Sequence, residues 1–140
     1  MPFEYLDHTA DIGIRGIGKT VEEAFCAAAR AVFNLMVDID QVVPAQRIDV
    51  EVTASRLDLL LVEWLGGLIS QGDISGIVPS QFAVKIVHQE DLLNLQGTGW
   101  GEPLDPKRHR IKLEVKGATY SGLRVSRLPE KWIAQCIVDI

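Results

Sequence analysis

The segment from Ser55 to Gln71 constrains the fold more than any other part of the chain. Leu57, Leu60, Leu61, Trp64, Leu65 and Leu68 recur at helical spacing, and Leu59, Val62 and Ile69 widen the same arc. A helix apolar over so much of its circumference has to be covered on more than one side, either by sheet and a neighbouring helix or by a partner. Intramolecular cover is the default, so the rest of the chain has to supply that surface. Ser55 with Asp58 reads as the start signal of this helix, and Gly72-Asp73 as its break.

The rest of the chain offers a second helix and strands. Thr20 followed three residues on by Glu23 is a capping box. Behind it Val21, Ala24, Phe25, Ala28, Val32, Leu35 and Met36 form one apolar stripe. Ile12 and Ile14 alternate as a strand, and Ile48, Val50 and Val52 alternate with Arg47, Asp49 and Glu51 as another. The stretch through Pro79 and Ser80 reads as a loop. Phe82, Val84 and Ile86, a polar turn at His88 to Asp91, and Leu92 to Gln96 then make a hairpin. Gly97, Gly99 and Gly101 around Trp100 point to close backbone approach or a bulge. Lys107-Arg108-His109-Arg110 carries the densest positive charge and reads as a solvated loop, with His88 and His109 both outside the core. Lys112 to Gly117 and Ala118 to Val125 read as strands with a bulge at Gly122, and Trp132 to Val138 as the last strand. Two helices among six or seven strands define an α+β sandwich, the helices packed on a largely antiparallel or mixed sheet, in one domain over residues 1–140.

The net charge of -5 argues against a protein whose main work is gripping a nucleic-acid backbone, which needs a basic surface. A protein partner or a cation fits better. Cys26 and Cys136 lie in apolar periodic segments without C-x-x-C spacing, as reduced core residues in a cytoplasmic protein would. No apolar run reaches the length of a membrane span, and the first residues lack the pattern of a signal peptide.

Chemistry concentrates at the start of the chain. Asp7, His8, Thr9 and Asp11 put four polar side chains directly before the Ile12/Ile14 strand, where a turn cap is the plain alternative. Gly13-Ile14-Arg15-Gly16-Ile17-Gly18-Lys19-Thr20 formally satisfies the phosphate-loop pattern G-x-x-x-x-G-K-[ST], and Ile137-Val138-Asp139 imitates the strand that holds magnesium in such enzymes. The context is wrong for it, because a true phosphate loop follows a buried, continuous apolar strand and here Asp7-His8-Thr9-Ala10-Asp11 precedes it. A cation site is the other reading. Asp11 and Asp139 each end a strand-like segment, and Ile140 offers an α-carboxylate as the last residue. Three carboxylates together repel one another unless a cation neutralises them, and all-oxygen ligation suits calcium, magnesium or manganese. Spacing alone does not bring Asp11 to Asp139.

Tyr5 to Ile14, Gly18 to Phe25, Gly99-Trp100-Gly101-Glu102, Glu114 to Tyr120 and the terminal Val138-Asp139-Ile140 together resemble the archease family, from the first strand to the last residue. The resemblance implies a compact α+β sandwich and an accessory protein rather than an enzyme. It would activate the RtcB-type tRNA-splicing RNA ligase, promoting guanylylation of the ligase and multiple turnover and broadening the nucleotide triphosphates it accepts. The implied metal site is Asp11, Asp139 and Ile140, with calcium as the usual ion, and Lys116 belongs to the implied functional set. Where many members carry His after the Tyr120 position this chain has Ser121, so no proton-transfer role is assigned there. The tRNA would be met through the ligase, with no membrane and no stable direct nucleic-acid binding. A chaperone-like module for RNA-modifying enzymes is the alternative within the family, and partial exposure of the greasy helix would favour it.

Overall fold

The computed structural model describes residues 2–6 and 11–140. Asp7-His8-Thr9-Ala10, including any cap made by Thr9, lie outside the described residues. In chain order the described residues form β1 (Phe3–Leu6), β2 (Ile12–Gly18), α1 (Val21–Met36), a short 3-10 turn (Ile39–Gln41), β3 (Gln46–Ala54), α2 (Leu57–Ser75), β4 (Ile77–Gln89), β5 (Leu92–Pro103), β6 (Gly117–Ala118), β7 (Arg124–Arg127) and β8 (Trp132–Asp139). Every strand pairing is antiparallel. One sheet has the order β1-β2-β8-β6 with β7 also against β8, and the other has the order β3-β5-β4.

The expected α+β class, with two helices packed on antiparallel sheet, is what forms, the strands being divided between two sheets that both helices touch. α1 meets β2 and β8 on one side and β4 on the other, while α2 lies on β3 and β5 and also reaches β6 and β7. That double cover answers the demand made by α2, whose Leu60, Leu61, Trp64, Leu65 and Leu68 are fully buried. Thr20 caps α1 as expected, the Glu23 N–H donating to its Oγ1 at 3.1 Å, while the Glu23 carboxylate reaches past the cap to accept the Lys19 N–H at 2.7 Å.

Several expectations need correction. Ser55 does not cap α2: Arg56 is the capping position and makes no side-chain cap bond, and its guanidinium instead grips Asp58 at 3.0 Å. Nor does Gly72-Asp73 end the helix. An interior glycine costs about 1 kcal/mol against alanine, too little by itself to stop a helix, and α2 runs on for three exposed residues past Gly72. It stops at Gly76, whose φ of 75° places it in the left-handed region that ends helices. Pro79 and Ser80 are strand, not loop. β4 lies at a sheet edge, where the missing proline N–H costs no ladder bond, and the register shift between Pro79 and Gln81 absorbs Ser80 as a bulge. Gly101 sits against that bulge so closely that a side chain would strike the backbone of Val78 and Pro79, which is the close approach the glycine spacing announced.

Most of Lys112 to Gly117 is not strand, because its amides are spent elsewhere: the Lys112 and Leu113 N–H groups donate to the Met36 and Leu35 carbonyls, at 2.8 and 3.1 Å. They satisfy the open end of α1. Only Gly117–Ala118 and Arg124–Arg127 become strands between residues 117 and 131, and Gly122 (φ 60°) belongs to the turn between them rather than to a bulge. Cys136 is buried and Cys26 partly so, and burial pushes their thiols up to about 12 and about 11. Both are free thiols held in the neutral form at pH 7. No described helix is long and apolar enough to cross a membrane.

Candidate chain-end cation site

The residues singled out at the two ends of the chain converge through strand register. In the β2–β8 ladder Ile12 faces Val138 and Gly13 faces Ile137. Continuing that register by one residue sets Asp11 beside Asp139. Directly opposed residues of an antiparallel pair share a face. Ile14 and Cys136 face each other in the core, so the odd-numbered residues of both strands, Asp139 among them, belong to the opposite, outer face, and Asp11 stands one residue before β2. On the other side of β8, Gly117 faces Asp139, and the Lys116 N–H donates to the Asp139 carbonyl at 2.7 Å. Asp11, Asp139 and Lys116 therefore come from three neighbouring strand ends. Asp139 and Lys116 are exposed and Asp11 is half-buried, while Ile140 is partly buried and packs on the core.

The donor set fits an oxygen-seeking cation in part. Two carboxylates brought side by side repel each other unless a positive charge lies between them. Among the described residues no group of three or more His, Cys, Asp and Glu side chains could hold a metal ion. The pair Asp11 and Asp139 thus needs oxygen from another source, which the α-carboxylate proposed for Ile140 would be.

The phosphate-loop pattern from Gly13 to Thr20 has no loop. Ile12–Gly18 is extended strand, paired on both sides, and Thr20 is the helix cap. Its glycines serve packing: a side chain at Gly16 or Gly18 would run into α1. Strand β8, with Asp139 at its end, is antiparallel to β2, unlike the parallel neighbour that a nucleotide-binding unit requires.

A second polar cluster was invisible in the sequence pattern and overturns the solvated-loop expectation for His109. Its side chain is fully buried. The Asp105 N–H donates to His109 Nδ1 at 2.8 Å, so the ring proton sits on Nε2 and is given to Glu102 Oε2 at 3.0 Å. The Val43 N–H also donates to Glu102 Oε2, at 2.7 Å, and Arg108 closes on Glu102 Oε1. These bonds, led by the Val43 amide, hold the Glu102 carboxyl down at about 2. The cluster ties the 104–110 loop to β5 and to the chain before β3. Only the bare presence of a Glu and a His seven residues apart hinted at it. A group held below its unfolded value of 4.5 contributes stability that is present above pH 4.5 and lost as pH falls towards 2. Glu102→Gln is therefore expected to flatten the acid limb of a Tm-against-pH curve between those values. His109→Ala, which leaves the Asp105 amide without its acceptor, is expected to cost about 1–3 kcal/mol in urea unfolding at pH 7.

Two antiparallel sheets packed with two helices, with the start of β2 and the end of β8 side by side at the rim of one sheet, define a small α+β protein that offers its polar chemistry at the surface. The sequence profile of the Archease protein family (MTH1598/TM1083) matches residues 3–140. The chain is 42% identical over 139 residues to the protein archease of Pyrococcus furiosus, covering 99% of this chain and 98% of that one. It is 36% identical to that of Methanopyrus kandleri over the full length of both. The solution structure of Methanobacterium thermoautotrophicum protein 1598 superposes with a TM-score of 0.86 at 33% identity, over 99% of each chain. A crystal structure of an archease from Thermotoga maritima, described as a possible chaperone, shares the fold at a TM-score of 0.57 and 17% identity, over 96% of this chain and 94% of that one. The chain belongs to the archease family.

Proposed function

We propose that this protein activates an RNA ligase of the RtcB type in tRNA splicing, promoting ligase guanylylation and repeated turnover, in the cytoplasm. A divalent cation would be held by Asp11, Asp139 and the α-carboxylate of Ile140, calcium first, with magnesium or manganese as alternatives. When bound, the cation would supply positive charge against a nucleotide triphosphate. The observation that carries this reading is the sheet order β2-β8-β6, in which the strand entered from Asp11, the strand ending at Asp139 and the strand entered from Lys116 are neighbours. Asp11 and Asp139 would fix the cation at the rim of the sheet, Lys116 would add a second positive charge beside it, and the ligase would keep the nucleophile. Exposure of Asp139 and Lys116 suits a group offered to a partner's pocket rather than one working in a pocket of its own.

Single-turnover guanylylation of the cognate ligase with GTP tests this. Wild-type protein is expected to accelerate it, and Asp11→Ala and Asp139→Ala to lose that stimulation together with calcium affinity, the latter by at least about tenfold. Unchanged stimulation by both variants refutes the cation site. A short C-terminal extension is expected to weaken calcium binding as well, and unaltered affinity would remove Ile140 from the ligand set. Partial exposure of α2 would favour the chaperone-like alternative; Leu60, Leu61, Trp64, Leu65 and Leu68 of its apolar arc are fully buried, and Leu57 and Leu59 at its start are half-buried.

A further inference from the structure

We propose that the groove between the start of α1 and strand β4 binds an extended acidic segment of a partner protein, added as an extra strand along the free edge of β4. Four observations carry it. β4 ends the order β3-β5-β4, so one side of its backbone has no strand partner, and such an edge is a template for another strand. A cavity of about 760 Å³ lies beside that edge, walled by Ile17 on one side and by Phe82 and Val84 of β4 on the other. Three cations, Lys19, Arg30 and Lys131, border it. Arg30 already donates from Nη1 to the Ser80 carbonyl of β4, while its Nε is buried with no acceptor among the described residues.

The charge pattern selects the occupant. Among the described residues Lys19 and Lys131 have no ion-pair partner, and both are exposed. Arg30 is paired with Asp40 at 3.6 Å, and Glu22 and Glu23 also border the groove, Glu23 turned back to accept the Lys19 N–H at 2.7 Å, so the two lysines are the cations left for a ligand. Alternating side chains of an added strand would send apolar groups to Phe82 and Val84 and carboxylates to the lysines, and its backbone would pair with β4. The groove is distinct from the chain-end site: it adjoins Gly18 and Lys131, whereas Asp11 and Asp139 lie at the other end of β2 and β8. At about 3.4 Å per residue the seven residues of β2 separate the two by roughly 20 Å.

The test is fluorescence anisotropy of the full-length protein with a short fluorescein-labelled peptide of alternating aspartate and valine. Saturable binding is expected, weakened by about tenfold or more in the Lys19→Glu, Lys131→Glu double variant and by N-methylation of alternate peptide amides, which removes backbone pairing and keeps the charges. Asp139→Ala should bind the peptide as wild type does, so failure of the cation-site reading leaves this result untouched. No saturable binding up to millimolar peptide overturns the proposal. So does equal affinity for the N-methylated peptide, for its lysine-for-aspartate counterpart, or stronger binding of a single-stranded oligonucleotide at the same groove.

Discussion

Gly16→Ala is expected to unfold the protein under conditions where the wild type is native, at a cost of at least about 4 kcal/mol. β2 crosses α1 at this residue. A methyl group there would overlap the Ala24 carbonyl and the Ala28 amide, and would stand 2.9 Å from the Ala28 Cα. These are backbone atoms inside a helix and cannot swing aside as a side-chain tip can. The same contact explains why α1 is so rich in alanine, with Ala24, Ala27, Ala28 and Ala31 all at 4% exposure or less. Only glycine against alanine lets helix and strand approach so closely. Urea denaturation followed by circular dichroism measures the effect, and Gly66→Ala is the control of opposite sign. Gly66 lies inside α2, and a methyl group there would meet nothing within 4 Å, so alanine is expected to stabilise by about 0.5–1 kcal/mol. Equal, small effects at the two glycines would contradict the packing described for β2.

Trp64→Ala is expected to cost about 3–5 kcal/mol. Trp64 heads the fully buried side chains by size, and its Nε1–H donates to the Phe25 carbonyl at 3.1 Å, a bond that links α2 to α1. Truncation leaves a void and removes the one indole bond between the helices, the Phe25 carbonyl keeping its bond within α1. Gly97 of β5 is the other half of this contact, because a side chain there would collide with the six-membered ring of the indole. Gly97→Ala should therefore be destabilising in the wild type and much less so beside Trp64→Leu, where the ring is gone. In a double-mutant cycle by urea unfolding the two losses are expected to fall short of additivity by at least about 1 kcal/mol. Simple additivity would show that Gly97 is not shaped by Trp64.

Features written in neighbouring residues were legible. Thr20 and Glu23 specify the start of α1 within four positions, and the alternation of Ile48, Val50 and Val52 specifies β3, because both signals are short-range. The start and end of α2 depart from their local signals for a different reason. A single interior glycine at Gly72 is too weak a signal to stop a helix, Arg56 rather than Ser55 takes the capping position, and the left-handed stop at Gly76 lies just past the point where the apolar pattern fades. Lys112 and Leu113 carry strand-like residues, yet their amides close the end of a helix more than seventy positions earlier, a partnership no local window contains. His109 is the sharpest case: basic neighbours on both sides announce a wet loop, and its burial depends on Val43, Glu102 and Asp105. Of the chain-end site, residue chemistry supplied the ligand type and the family resemblance supplied the grouping. The register of β2 on β8 is what brings the start of β2, just after Asp11, to the end of β8, and periodicity in either strand says nothing about which partner it takes.

Strand β8 lies between β2 on one side and β6 and β7 on the other, although it is the last of the strands in chain order. During synthesis the five-stranded sheet consequently has no middle until β8 is made. The β1–β2 hairpin and the alanine face of α1 emerge early and must wait, with apolar surface exposed, for residues made far later. Loss of β8, unlike loss of a strand that ran along an edge, would split a sheet through its centre.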